Sequence, residues 1–240
     1  IDNTVRCFLK DRSGFLWVGT NSGLSRFDGF RFTNFICNPA DSSSLSSNQV
    51  VHLFEDAQGQ IWISTHDNGL SVFDPRKNRF KRFVYNPDKP NGVPNNHPTA
   101  VCYDTMGNLW IGFFGKGIAR FNPSDDSFTL TSFDNSSQLY NFNEIMDVEG
   151  DAAGNLWIST RVGLVRFNPT NGDFTRIEQL EPNGSKSMQK NLFLKLHINE
   201  EGNVLVGSWV NGIYEYNPKN GSWKQYLIDR EKRENTGYAK

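Results

Sequence analysis

A glycine that opens a Gly-x-Φ-Trp turn, Φ being apolar, recurs at Gly14, Gly59, Gly107, Gly154 and Gly202. The steps between them are 45, 48, 47 and 48 residues. One unit is therefore written five times, and a period in this range restricts the chain to a solenoid, a propeller or a similar array. The first copy reads Asp11-Arg-Ser-Gly-Phe-Leu-Trp-Val-Gly-Thr and then Gly23-Leu-Ser-Arg-Phe-Asp. The fourth reads Asp151-Ala-Ala-Gly-Asn-Leu-Trp-Ile-Ser-Thr and then Gly163-Leu-Val-Arg-Phe-Asn-Pro. The fifth, read from Glu200, carries Leu205 where the others carry Trp17, Trp62, Trp110 and Trp157.

Each copy holds four short apolar runs. In copy four they begin at Ile145, Leu156, Leu164 and Phe174. Short runs rich in β-branched and aromatic residues, bounded by turn signals, read as strands. Asp-x-x-Gly supplies a tight turn, because Asp bonds its own backbone and Gly accepts positive φ. Asn-Pro or Asp-Pro after the third run stops the ladder. No sustained 3.6-residue apolar period exists, so almost no helix is expected. Four antiparallel strands per copy make the blade of a β-propeller. The expected fold is all-β, with five four-stranded blades near residues 1–38, 45–87, 95–136, 139–181 and 187–228. A β-solenoid is the main rival. The charged tail from Asp229 is expected to fray.

Five blades can close as a small ring or form part of a larger one. An open arc would leave two bare blade faces and invite association. The chain carries 25 basic and 26 acidic residues. That balance argues against bulk attraction to nucleic acid or an anionic membrane. No apolar run is long enough to span a bilayer, and the chain starts at Ile1, so a processed or truncated piece of a longer polypeptide is expected. Cys7, Cys37 and Cys102 show no metal-type spacing. Cys7 and Cys102 read as small buried hydrophobes.

The pattern Asp-x-x-Gly-x-Leu-Trp-Ile-Gly-Thr followed by Gly-Leu-x-Arg-Phe-Asp resembles the two-component regulator propeller repeat. The resemblance covers about residues 5–228. Gly23-Leu-Ser-Arg-Phe-Asp-Gly-Phe-Arg-Phe resembles an opening blade of that family, and Asn38 to Val50 resembles its linker between blades one and two. Copy five lacks the Trp, and Phe113 stands in place of the usual Thr. The resemblance implies five blades of a seven-bladed propeller in the periplasmic sensor region of a hybrid two-component histidine kinase. It further implies detection of carbohydrate breakdown products, often oligosaccharides, with no cofactor. Homodimerisation would occur through the full-length sensor. Contact with the membrane would occur only through other regions, and none with nucleic acid through this segment.

In a propeller, the strand 2–3 and strand 4–1 loops emerge on one face. The strand 2–3 loops vary while their flanks repeat, and they offer His66, Asp67, Phe114, Lys116, Arg161, Trp209 and Asn211. Polar groups beside aromatic platforms suit sugar recognition. Trp209 could stack on a sugar ring or fill the aromatic slot that Leu205 vacates. Ordinary surface loops, or a docking face for another domain, are the alternative. No catalytic residue or metal ligand is expected. His52 and His197 read as equivalent first-strand positions, four before a turn acid (Asp56, Glu201), which points to a structural role. A streptogramin-lyase-like enzyme and a pure dimerisation or docking scaffold are the competing functions. Asn135-Ser-Ser matches an N-glycosylation acceptor.

Overall fold

Strands pair only with their neighbours in sequence, which is what tight turns between short apolar runs dictate. The computed structural model describes residues 4–133, 141–177, 192–209 and 212–226. The first sheet holds β1 (Val5–Lys10), β2 (Leu16–Thr20), β3 (Gly23–Phe27) and β4 (Phe32–Phe35). The second holds β5 (Val50–Glu55), β6 (Ile61–Thr65), β7 (Leu70–Asp74) and β8 (Arg79–Phe83). The third holds β9 (Pro98–Tyr103), β10 (Leu109–Phe113), β11 (Gly117–Asn122) and β12 (Ser127–Thr131). The fourth holds β13 (Ile145–Gly150), β14 (Leu156–Thr160), β15 (Gly163–Phe167) and β16 (Phe174–Ile177). The fifth holds β17 (Phe193–Ile198), β18 (Val204–Ser208), β19 (Ile213–Asn217) and β20 (Ser222–Tyr226). All pairing is antiparallel in simple up-and-down order. The described residues contain no helix. This is the five-bladed all-β propeller architecture expected from the repeat. The Asp229 tail and Asn135 lie outside the described residues.

First strands contact one another in succession, β1 to β5, β5 to β9, β9 to β13 and β13 to β17. They form a continuous inner wall. Each carries a register shift near its start, as between Val50 and His52. One extra residue per first strand increases local twist and re-aims its side chains.

The Asp-x-x-Gly turn and the Trp are one device. Asp11 Oδ1 accepts the backbone N–H of Phe15 at 2.9 Å, while Oδ2 accepts the Trp17 indole N–H at 2.7 Å. The pairs Trp62–Asp56, Trp110–Asp104 and Trp157–Asp151 repeat this at 2.9, 2.9 and 2.8 Å. Burial raises the Asp104 carboxyl, but bonds from Asn108, Trp110 and two backbone N–H groups outweigh it and hold it below the usual range. Each indole then packs on an aromatic ring in the third strand of the next sheet. The pairs are Trp17–Phe73, Trp62–Phe121, Trp110–Phe167 and Trp157–Tyr216, with centroids 5.0–5.8 Å apart.

The fifth sheet departs from this plan at two positions together. Its turn residue is Asn199: Oδ1 accepts the N–H of Asn203 at 2.9 Å, and the backbone carbonyl accepts that of Gly202. The sequence reading placed Glu200 or Glu201 there, and the geometry corrects it. With Leu205 in place of Trp, a carboxylate would bury an oxygen with no donor, so an amide serves better. The shift in register also removes the supposed equivalence of His52 and His197. His52 pairs opposite Ser64, and the matching residue in the fifth sheet is Lys195, opposite Gly207. Phe113 cannot make the hydroxyl-to-carbonyl bond of Thr20, Thr65 and Thr160 to the glycine that opens the third strand. It is buried in the core instead.

The two outer faces of the array differ. Phe8 and Phe32 on the first sheet are 75% and 58% exposed, whereas Leu53 and Phe80, their register equivalents in the second, are each 7% exposed. The opposite face, on the fifth sheet, is mixed: Ile213 and Tyr226 are 48% and 42% exposed beside Glu215. There Glu215 accepts bonds from Asn203 and Tyr226 at 2.7 and 2.6 Å.

Glycine is required at the start of strand three. Gly69 has φ +71°, and an added Cβ would lie 2.2 Å from the Phe83 carbonyl oxygen. Gly14 has φ +89° but open space around it. Gly14→Ala is expected to cost about 1–2 kcal/mol from the left-handed backbone alone. Gly69→Ala should cost clearly more, because backbone must also move. Urea midpoints compare the two; equal losses would refute the packing argument.

Candidate functional site

One face of the array is defined by a repeated backbone bond. The residue after the second strand donates its N–H to the carbonyl just ahead of the first strand. The pairs are His66 to Gln49, Phe114 to His97, Arg161 to Glu144 and Trp209 to Leu192, at 2.9–3.2 Å. The strand 2–3 loops therefore lie beside the segments entering strand one, as propeller geometry requires.

On this face the structure joins residues of three sheets into a belt. The His66 and His97 rings meet edge to face, with centroids 6.1 Å apart. His97 Nδ1 lies 2.6 Å from the His66 carbonyl oxygen. A carbonyl only accepts, so Nδ1 carries a proton. Asn95 Nδ2 donates to the Phe114 carbonyl at 2.7 Å. Phe114 also forms an isolated β-bridge with Glu144. Glu144 in turn lies 3.4 Å from Arg161 Nε, in a half-exposed ion pair. Such a pair contributes no more than about 1 kcal/mol and leaves the guanidinium available.

Of the residues expected from sequence, His66, Phe114 and Arg161 belong to this belt. Asp67 and Lys116 are exposed on the same loops. Trp209 stands apart on the fifth sheet and is 73% exposed, so it does not fill the slot beside Leu205. Asn211 lies outside the described residues. Sequence reasoning omitted His97 and Glu144. Both immediately precede or flank the first strand, in the strand 4–1 segment of the same face, and that position was the available signal.

The belt offers an imidazole, a guanidinium, a carboxylate and an aromatic ring at the surface. That set can bond hydroxyl groups and cover the apolar face of a ring. Among the described residues, no group of three or more His, Cys, Asp or Glu side chains is placed to hold a metal ion. All three cysteines are free thiols; Cys102 is buried and Cys7 and Cys37 are partly so.

The model of the two component regulator propeller family matches residues 1–22 and 44–67 of this chain. A search of curated proteins finds no match. Among solved structures, the extracellular domain of a candidate one component system from B. thetaiotaomicron is 23% identical with a TM-score of 0.74. The alignment covers 94% of this chain and 30% of that one. The extracellular domain of a candidate hybrid two component system from the same organism is 21% identical with a TM-score of 0.59, covering 95% and 35%. A surface component of the type-IX secretion system of Porphyromonas gingivalis is 18% identical with a TM-score of 0.65, covering 90% and 32%. This chain spans about a third of the length of those proteins, and at these identities the likeness is one of fold.

Proposed function

We propose that this chain, which carries two component regulator propeller repeats, is a ligand-sensing segment of the extracytoplasmic region of a hybrid two-component sensor. It acts in the periplasm, without catalysis of its own, and detects carbohydrate breakdown products. The observation that carries the reading is the family match on two of the repeats. The described extracellular domains of similar fold support the same placement. The belt from His66 to Arg161 supplies the contact surface. Kinase and phosphorelay functions would lie in other parts of the full-length sensor. There, ligand binding would bias dimer geometry across the membrane.

Isothermal titration of the chain against neutral oligosaccharide mixtures tests this. His97→Ala combined with Phe114→Ala is expected to weaken binding roughly tenfold or more, since two anchors are lost together. Unchanged affinity in that variant would remove the belt from consideration. A docking scaffold is the second reading, and the exposed apolar face of the first sheet favours it. Absence of any saccharide binding, with association that Phe8→Ser abolishes, would decide for it.

A further inference from the structure

The inner wall encloses a site distinct from the loop face. A cavity of about 360 Å³ is lined by β1, β5 and β17. Two first strands, β9 and β13, separate β5 from β17 in the wall. All three can border one cavity only because the wall curves, so the cavity lies inside the curve. Its volume falls within the range of about 300–1,000 Å³ for small-molecule sites.

The lining has a definite chemistry. Arg6 and Lys195 face the cavity, and among the described residues no acidic side chain lines it. Arg6 Nε donates to Asn21 Oδ1 at 2.9 Å, a neutral partner, and among the described residues no carboxylate pairs with the guanidinium. Lys195 Nζ lies 3.2 Å from Asp147 Oδ1, yet 60% of its side chain remains exposed, so its ammonium keeps donors to spare. Nδ1 of His52 is buried with no hydrogen-bond partner. That nitrogen is closed to solvent, while other atoms of the His52 side chain border the cavity. Burial, aided by the Lys195 ammonium, presses the His52 imidazole down to about 3, and burial pushes the Cys7 thiol up to about 11. Both are therefore neutral near pH 7, and the described lining residues carry positive charge only, with the Asp147 carboxyl behind Lys195. Phe8, largely exposed, adds a flat apolar surface at the edge.

We infer that this cavity binds a sugar acid, a pyranose-sized carboxylate of the hexuronate class. The carboxylate meets Lys195 and Arg6 through charge-assisted bonds. The ring face lies on Phe8, with the neutral His52 side chain bordering the cavity. The inference goes beyond the proposed function by adding a second site and its ligand class, and it rests on the reading of this chain as ligand-sensing.

Isothermal titration of the whole chain with D-glucuronate, D-glucose and inorganic phosphate tests it, alongside Lys195→Gln and Phe8→Ala. Both substituted side chains are mostly exposed, so the variants should fold. Glucuronate is expected to bind at least tenfold tighter than glucose or phosphate. Each variant should lose roughly tenfold, as expected for a charge-assisted bond or a stacked ring. Phosphate binding as well as glucuronate would overturn the sugar-acid assignment in favour of a general anion site. Glucuronate affinity untouched by Lys195→Gln would place its site elsewhere. Neutral oligosaccharides binding while glucuronate does not would overturn this inference and leave the sensor reading standing. No saccharide binding at all would end both.

Discussion

Trp62→Ala is expected to lower the free energy of unfolding by about 3–5 kcal/mol, enough to remove much of the stability of a typical domain. Trp62 is 2% exposed and lies between the rings of Phe83 and Phe121, with centroids at 5.9 and 5.0 Å. Its loss opens a cavity between the second and third sheets. It also strips Asp56 Oδ2, buried at 3% residue exposure, of its indole donor. Asp56 Oδ1 is already committed to the N–H groups of Gln58 and Gln60 at 2.9 and 2.8 Å. In Asp56→Asn the amide nitrogen must therefore take the place of Oδ2 and oppose the indole N–H, donor against donor. That clash disappears when the indole is absent, which is the combination the fifth sheet already uses with Asn199 and Leu205. A cycle of Asp56→Asn, Trp62→Leu and the double variant should show coupling of about 1–2 kcal/mol in the direction of rescue. Urea denaturation measures it. Additive losses would mean that the Trp and the acid are independent, and that the paired change in the fifth sheet is coincidence.

The same pair shows how far the sequence could be read. The blade was legible because turn chemistry and strand length are local. Phe174 to Ile177, read as a run, is strand β16 to the residue. The fifth turn was misplaced because its diagnostic acid had become Asn199, and the reason for that change lies six residues away at Leu205. Neither residue reveals it alone. The loop face was legible from variability between repeating flanks, which located His66, Phe114 and Arg161. Its other half was not, because His97 and Glu144 stand in segments that differ from copy to copy and meet those loops only through sheet-to-sheet contact. The inner cavity was invisible for the same reason. His52 and Lys195 occupy one position of the repeat, 143 residues apart, and only the curvature of the wall brings them to one space.

Acidification should destabilise the fold through His52. Its folded value, about 3, lies below the ordinary 6.5. The unfolded chain therefore takes up a proton as pH falls below about 6.5, while the folded chain resists it until about 3. Stability from this group is intact above 6.5 and is lost progressively across that window, at up to about 1.4 kcal/mol per pH unit. The whole loss is on the order of 4–5 kcal/mol. Two carboxyls on β13 act in the opposite sense. Burial raises both Asp147 and Glu149, so their protonation on acidification favours the folded state. The total pH profile is thus a difference of opposing slopes, and only a comparison isolates the imidazole. His52→Gln should flatten the decline between pH 6.5 and 4 relative to the parent chain, measured by urea unfolding at fixed ionic strength. Parallel profiles would show that the imidazole is charged or solvated in the folded chain, and the neutral side chain assigned to the cavity border would fall with it.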